Sequence, residues 1–273
     1  MSKLSRQEKL SSINNRHSKK DLVPVTDSDI FYGHEEERFA LGVYSPQQIE
    51  SYAFGSIPQA YLQLRSNVYT KRGFLDGKSV RFDGTEMDNH DHHSVHFMMI
   101  ENLDYENPEN FSRKNTLSKM GRIAVFSCMR MIINTDSKEI PAKSFYPEYF
   151  KDKDTPRAIE ISRVIAAHDD SDIRTFAQGV LFTAGLAKSI NENLGPVYGV
   201  VERHFAQGLK MSGVPVEPIA ELKYLEEYNS ENLLIEIDKE EFARRVGSEI
   251  LKKMTIPVGS FTYWSDILGQ NNK

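Results

Sequence analysis

The sequence predicts a single mixed α/β domain, a central sheet flanked by helices, and two observations carry that reading. Apolar runs of strand-like composition alternate with stretches whose apolar residues recur every three or four positions, so strands and helices interleave over about 180 of the 273 residues. Hydrophobic residues make up 39% and charged residues 27%, a balance that suits a soluble globular chain with a sizeable core.

The elements follow in order. Residues 1–20 hold six Lys or Arg against one Glu and read as a flexible basic arm. Residues 21–56 mix turn signals with "HEEER" and read as an irregular N-terminal extension. The domain proper spans 57–237. It begins with "IPQAYLQLRSNVYTKRGF", where Ala60, Leu64 and Val68 stand four apart on a helical stripe and Pro58 suits a first turn. "SVHFMMIEN" and "GRIAVFSCMRMIIN" are strands, joined by a loop with Pro and Asn breakers. The run from Arg157 gives another strand. "DIRTFAQGVLFTAGLAKSINENLG" gives an amphipathic helix, with Gly195 suited to its stop. A buried strand "PVYGVVE", a helix "RHFAQGLKMSG" and strands "VPVEPIAE" and "NLLIEID" complete the domain. Residues 238–273 form a helical C-terminal extension, opened by Asp238 and Glu241 at capping-box spacing.

The totals exclude several classes. A net charge of -5 gives no case for nucleic acid. No apolar run approaches the length of a membrane span, and the N-terminus lacks a signal-peptide core, so an unexported, cytoplasmic protein is expected. The single cysteine, Cys128, excludes an internal disulfide and a Cys zinc site, and in its apolar run it reads as structural.

Three groupings carry possible chemistry. The strand "AIEISRVI" places Glu160, Ser162 and Arg163 among apolar residues. Strict alternation sets Glu160 and Ser162 on one face and Arg163 on the other. The plain reading is an edge strand with one wet face, or an ion pair pinning the strand to its neighbour. "TEMDNHDHHSVHF" gathers Asp88, His90, Asp91, His92, His93 and His96. Metal ligation is one reading, but no zincin-type frame is present, and a hydrophilic loop entering a strand is favoured, with no metal expected. Arg65, Arg130 and Arg163 each stand in or beside apolar runs, which suits either structural pairs or one buried network with Asp88, Asp91 and Glu160. Phosphate loops and a nucleophile elbow are absent.

Taken in order, these residues resemble the acyl-homoserine-lactone (autoinducer) synthases and the related long-chain N-acyl amino acid synthases of the GNAT acyltransferase superfamily. The resemblance spans about residues 57–237. It rests on Arg65-Ser-Asn-Val68-Tyr69, the aromatic Phe74, the pair Asp88 and Asp91, Arg130 in "CMRMII", the segment "SFYPEYF", the signature Glu160-Ile-Ser162-Arg163, and "YGVVERHFAQGLKMSGVPVEPIAE". Two features depart from the pattern. Phe74 stands where the family usually has Trp, and about 55 residues precede and 35 follow the matched region.

The resemblance implies a GNAT-like mixed sheet and transfer of a fatty acyl group from a thioester to an amine. The donor is acyl carrier protein or coenzyme A, with no permanently bound cofactor. S-adenosylmethionine is the first candidate acceptor, giving an acyl-homoserine lactone. An amino acid or another amine is the alternative, and a non-catalytic ligand-binding module of the same fold is the rival of a different class. Glu160, Ser162 and Arg163 are the implied catalytic residues. Arg65, Tyr69, Phe74, Asp88, Asp91 and Arg130 are the implied substrate-binding residues. The turn "HDDSDIRT" carries three acids and no glycine, which favours carrier protein over the diphosphate of coenzyme A.

Overall fold

Long runs of Val, Ile, Phe and Met, buried on both faces, make the centre of a sheet. The computed structural model describes residues 23–25, 37–75, 79–103, 105, 123–135 and 137–268. The strands are β1 (Val23–Val25), β2 (Phe39–Tyr44), β3 (Ser94–Asn102), β4 (Ile123–Ile133), β5 (Ile159–Ala166), β6 (Val197–Glu202), β7 (Val216–Pro218), β8 (Lys223–Leu225), β9 (Ser230–Ile237) and β10 (Ser260–Tyr263). They form one sheet in the order β10-β2-β3-β4-β5-β6-β9-β7, with β1 on β4 and β8 on β9. Every pairing is antiparallel except β5 with β6. β3 is buried throughout and β4 almost so, as their unbroken apolar runs require.

Helices cover both faces. In chain order they are α1 (Pro46–Glu50), α2 (Ile57–Lys71), α3 (Pro141–Phe145), α4 (Pro147–Phe150), α5 (Ser171–Asn191), α6 (Arg203–Met211), α7 (Lys239–Val246), α8 (Ser248–Lys253) and α9 (Trp264–Leu268). α5 presents Val180, Ala184 and Ala187 to one face, together with Phe97, Met129 and Met131 of the sheet. Its N-cap is Asp170, whose carboxylate accepts from the N–H groups of Asp172 and Ile173. Gly185 lets that helix approach closely, since a Cβ there would lie 2.6 Å from Met129 Cε. α2 covers the opposite face with Ala60, Tyr61, Leu62 and Leu64 against Met98, Ile100 and Cys128. α3 and α4 extend that cover over Ile132 and Tyr198. Among the described residues, no helix is long and apolar enough to cross a membrane.

The structure departs from the sequence expectations at the chain ends. Within the two end segments, β2 and β10 pair with each other, and β2 pairs with β3, so both strands belong to the sheet of the domain. A strand's place in a sheet is set by a distant partner, which local pattern does not contain. At α7 the expected reciprocal cap is half formed. Asp238 accepts from the Glu241 N–H, but the Glu241 carboxylate turns to Arg244 and Arg245 instead. The basic arm and most of the 103–120 loop lie outside the described residues.

Candidate functional site

β5 and β6 are paired only at Ile159–Val197 and Glu160–Tyr198. Beyond these residues they part, while β6 stays paired with β9 through Glu202. A cavity of about 380 Å³ fills the gap, walled by residues 161–166 of β5 and 200–202 of β6. It reaches Tyr69 and Phe74 at the end of α2 on one face and Gln178 of α5 on the other, so it passes through the sheet.

A β-bulge shapes its wall. Cys128 faces Ile165 across the β4–β5 ladder, but Arg130 faces Ser162, so two residues of β5 oppose one of β4. Arg163, within the bulge, has φ +55°, a left-handed conformation that costs a non-glycine residue about 1–2 kcal/mol. The extra residue reverses the alternation. Ile159, Ile161 and Val164 face α5, whereas Ile165 joins the α2 side. The expectation that Arg163 lies opposite Glu160 and Ser162 is therefore corrected: all three line the cavity.

The three arginines and their acids form one network. Arg65 is wholly buried, donating from Nε to Glu86 (2.7 Å) and from both terminal nitrogens to Asp91 (2.6 and 3.0 Å). Arg130 donates to Asp88 (2.6 Å), Asp91 (2.9 Å) and the Ser162 hydroxyl (3.1 Å). Arg163 donates to Glu86 (3.2 Å) and Asp88 (3.0 Å), and its guanidinium lies over the Tyr69 ring at 4.9 Å. Three cations thus meet three anions, which is the condition for burying them. Burial works against the ionised form of Asp91, but Arg65 and then Arg130 outweigh it and hold its carboxyl well below the usual range.

Tyr69, Phe74, Asp88 and Arg130 line the cavity. Arg65 and Asp91 do not. Both are 0% exposed and enclosed by their own ion pairs, and Asp91 also accepts from Arg130 and from the Asp88 backbone N–H. Glu86 was missed: nothing in its spacing marks it, although three buried guanidinium groups call for a third acid beside Asp88 and Asp91. Tyr228, on the cavity wall with its ring 5.4 Å from Phe145, carried no sequence signal.

Glu160 stands apart from the network. It is 1% exposed, and among the described residues it makes no ion pair. Its Oε2 accepts from the Ala142 N–H at 2.6 Å. That donor belongs to the first turn of α3, behind Pro141, and has no partner within its own helix. Burial pushes the Glu160 carboxyl up to about 7, against the weaker opposing effects of the Ala142 bond and of Arg130 and Arg163. The structural ion-pair reading of this glutamate is thereby overturned. A carboxylate that takes and releases a proton near neutrality is suited to general-base work.

The histidines are dispersed. His96 is buried against Tyr61, whose hydroxyl lies 2.8 Å from Nδ1, and burial pushes its imidazole down to about 3. His92 meets Glu50 on the surface, and His90 lines the cavity. Among the described residues, no group of three or more His, Cys, Asp or Glu is arranged to hold a metal. Cys128 is buried, and burial pushes its thiol up to about 12. We expect iodoacetamide to leave it unmodified in the native protein and to label it on unfolding. Rapid labelling of the folded chain, read by mass spectrometry, would contradict the burial.

No family model matches the chain, and no curated protein matches it. Solved structures do. That of BjaI, a CoA-dependent acyl-homoserine lactone synthase, with MTA, superposes with a TM-score of 0.53 at 15% identity, covering 77% of this chain and 90% of that one. The BjaI structure with SAM and isopentyl-CoA gives 0.52 over the same shares, also at 15% identity. The chain has the fold of an acyl-homoserine lactone synthase. At this identity the likeness establishes architecture alone. In that fold, the parted strands, the bulge and the buried glutamate are features of this chain's own geometry.

Proposed function

We propose that the chain is an N-acyltransferase that moves a fatty acyl group from a thioester to an amine by direct attack. The observation that carries this reading is Glu160, a buried, unpaired carboxyl poised near neutrality on the wall of a cavity that crosses the sheet. An acceptor enters as an ammonium group and loses a proton to Glu160, directly or through a water. The neutral amine attacks the thioester carbonyl, a tetrahedral oxyanion forms, and on its collapse the C–S bond breaks, the thiolate taking up the proton that the nitrogen gives up as the amide forms. Backbone N–H groups freed from the ladder at the Ser162–Arg163 bulge are the candidate oxyanion donors. Arg130 and Ser162 hold that stretch of β5 in place.

S-adenosylmethionine remains the first candidate acceptor, supported by the BjaI likeness. One observation favours the alternative of an ordinary amine or amino acid. Asp91 is enclosed, and both oxygens of Asp88 already accept from guanidinium groups, so the acidic pair offers little to a sulfonium. Thiol release from acyl thioesters in the presence of a panel of amines, with mass spectrometry of the products, separates the two. No release with any amine by the folded protein would overturn both and leave the ligand-binding module.

For the donor, both routes to a diphosphate are occupied. Asp170 takes the N–H groups of Asp172 and Ile173 in the first turn of α5 at 2.7 and 3.4 Å, and Arg174 donates to the carbonyls of His168 and Asp169. We therefore expect acyl carrier protein thioesters to exceed coenzyme A thioesters in kcat/KM by roughly tenfold or more at low salt, the advantage shrinking at high salt. The basic arm at Lys3, Arg6, Lys9, Arg16, Lys19 and Lys20 is the proposed contact for the acidic carrier. A coenzyme A preference at low ionic strength would reverse the assignment of donor.

A further inference from the structure

Two phenylalanines stand almost free of the protein: Phe54 is 87% exposed and Phe82 is 105% exposed. Each occupies the second position of a tight turn. In Ala53–Ser56 the Ser56 N–H donates to the Ala53 carbonyl at 3.2 Å, with Gly55 at φ +78°. In Arg81–Gly84 the Gly84 N–H donates to the Arg81 carbonyl at 2.9 Å. Both turns are held by side chains. The Gly55 N–H donates to the Gln59 side chain at 2.6 Å. The Asp83 carboxylate accepts from the Tyr52 hydroxyl and from the hydroxyl and N–H of Thr85 (2.7 and 3.2 Å). The Asp83 carbonyl accepts from the Gln63 amide at 2.8 Å. Tyr52 and Gln63 thus tie the second turn to the first and to α2, and neither phenylalanine ring takes part. One exposed Phe is ordinary, but two on cross-tied turns beside one helix make a paired apolar projection.

The surrounding charge points to its occupant. Residues 51–75 contain no Asp or Glu, in a chain that holds 39 of them and has a net charge of -5. Lys71 and Arg81 are exposed. Asp83 is engaged by Tyr52 and Thr85, and Glu50, just before the first turn, meets His92. This face is therefore basic on an acidic chain. Projecting aromatic tips with cationic neighbours suit an anionic lipid surface. The rings enter among the headgroups and the cations meet phosphates, without the shaped recess that a protein partner would have to supply.

We propose that Phe54 and Phe82 anchor the protein to the surface of an anionic lipid bilayer, with Lys71 and Arg81 facing lipid phosphates. The anchor itself stands apart from the acyltransferase reading, and its use rests on that reading. Gln63, which holds the Phe82 turn, and Tyr69, which lines the first cavity, both belong to α2, about 9 Å apart along its axis. A fatty N-acyl product would then leave beside the bilayer that dissolves it.

Co-sedimentation of the full-length protein with vesicles tests the anchor, using phosphatidylcholine alone and phosphatidylcholine mixed with phosphatidylglycerol. The wild-type protein is expected to bind the mixed vesicles, less so at high salt, and the neutral ones more weakly. The double variant Phe54→Ser, Phe82→Ser should lower the partition constant at least tenfold on the mixed vesicles. Arg81→Gln should lower it about fivefold there and leave the neutral vesicles unaffected. All the side chains that hold the turns are kept, so the melting temperatures should not move. Wild-type binding that the phenylalanine variant retains in full would place the contact on the basic arm and overturn the proposal. No wild-type binding to either vesicle would overturn it too, and a phenylalanine variant that then loses turnover only with carrier-protein thioesters would assign the surface to the carrier. Vesicle binding as expected in a protein that acylates no amine leaves the anchor standing and removes the acyltransferase reading. Acyl transfer without vesicle binding does the reverse.

Discussion

Glu160→Gln is expected to reduce the acyl-transfer rate roughly 10²–10⁴-fold in a protein that stays folded. Glutamine keeps the volume and still accepts the Ala142 N–H, but it cannot take a proton from the acceptor. The wild-type pH profile should rise as Glu160 loses its proton through about pH 7, and the variant should lack that limb. Stability should move the other way. The folded-state value lies above the ordinary 4.5, so the folded protein holds this proton more tightly than the unfolded chain. The benefit is complete below about pH 4.5 and is lost as the pH rises to about 7, a cost on the order of 3 kcal/mol. Glu160→Gln removes that cost and should narrow the gap between stability at pH 5 and at pH 8. A glutamate kept for an ion pair would show the opposite: intact turnover, and a variant weakened most at neutral pH. Denaturant melts at the two pH values, with kcat/KM across the range, decide between them.

Asp91→Asn is expected to be the most damaging single change to the fold, at about 3–5 kcal/mol. Asp91 accepts from both terminal nitrogens of Arg65, from Arg130 and from the Asp88 backbone N–H, and it is 0% exposed. An amide in its place carries no charge and turns an NH₂ group toward buried guanidinium donors. For a chain of this size the melting temperature should fall by roughly 10 °C. Glu241→Gln breaks a half-exposed pair with Arg245 and makes a fair control, with an expected cost below about 1 kcal/mol. The depressed Asp91 carboxyl contributes stability that is present above about pH 4 and is lost as the pH falls further, so the variant should differ least from wild type in strong acid. Asp91→Asn within about 1 kcal/mol of wild type at pH 7 would mean that the network relaxes around the substitution.

Much of this was legible in the residue order. Three- and four-residue spacing marks α2 and α5, and short apolar runs mark β3, β4 and β6, because local pattern reports which faces an element buries. The polar residues Glu160, Ser162 and Arg163 in an apolar strand stood out in the sequence, and all three line the cavity. The tertiary structure alone decided the rest. Alternation placed Arg163 on the wrong face because a bulge depends on the register against β4, not on the sequence of β5. β2 and β10 joined the sheet because strands more than 200 residues apart supply each other's hydrogen bonds. Arg65 and Asp91 are enclosed and do not line the cavity, because burial follows from how α2, β3 and β4 close over them. A carboxyl poised near neutrality, finally, is a property of the space around it: Glu160 is ordinary by residue type, and its lifted proton affinity comes from the water that packing excludes.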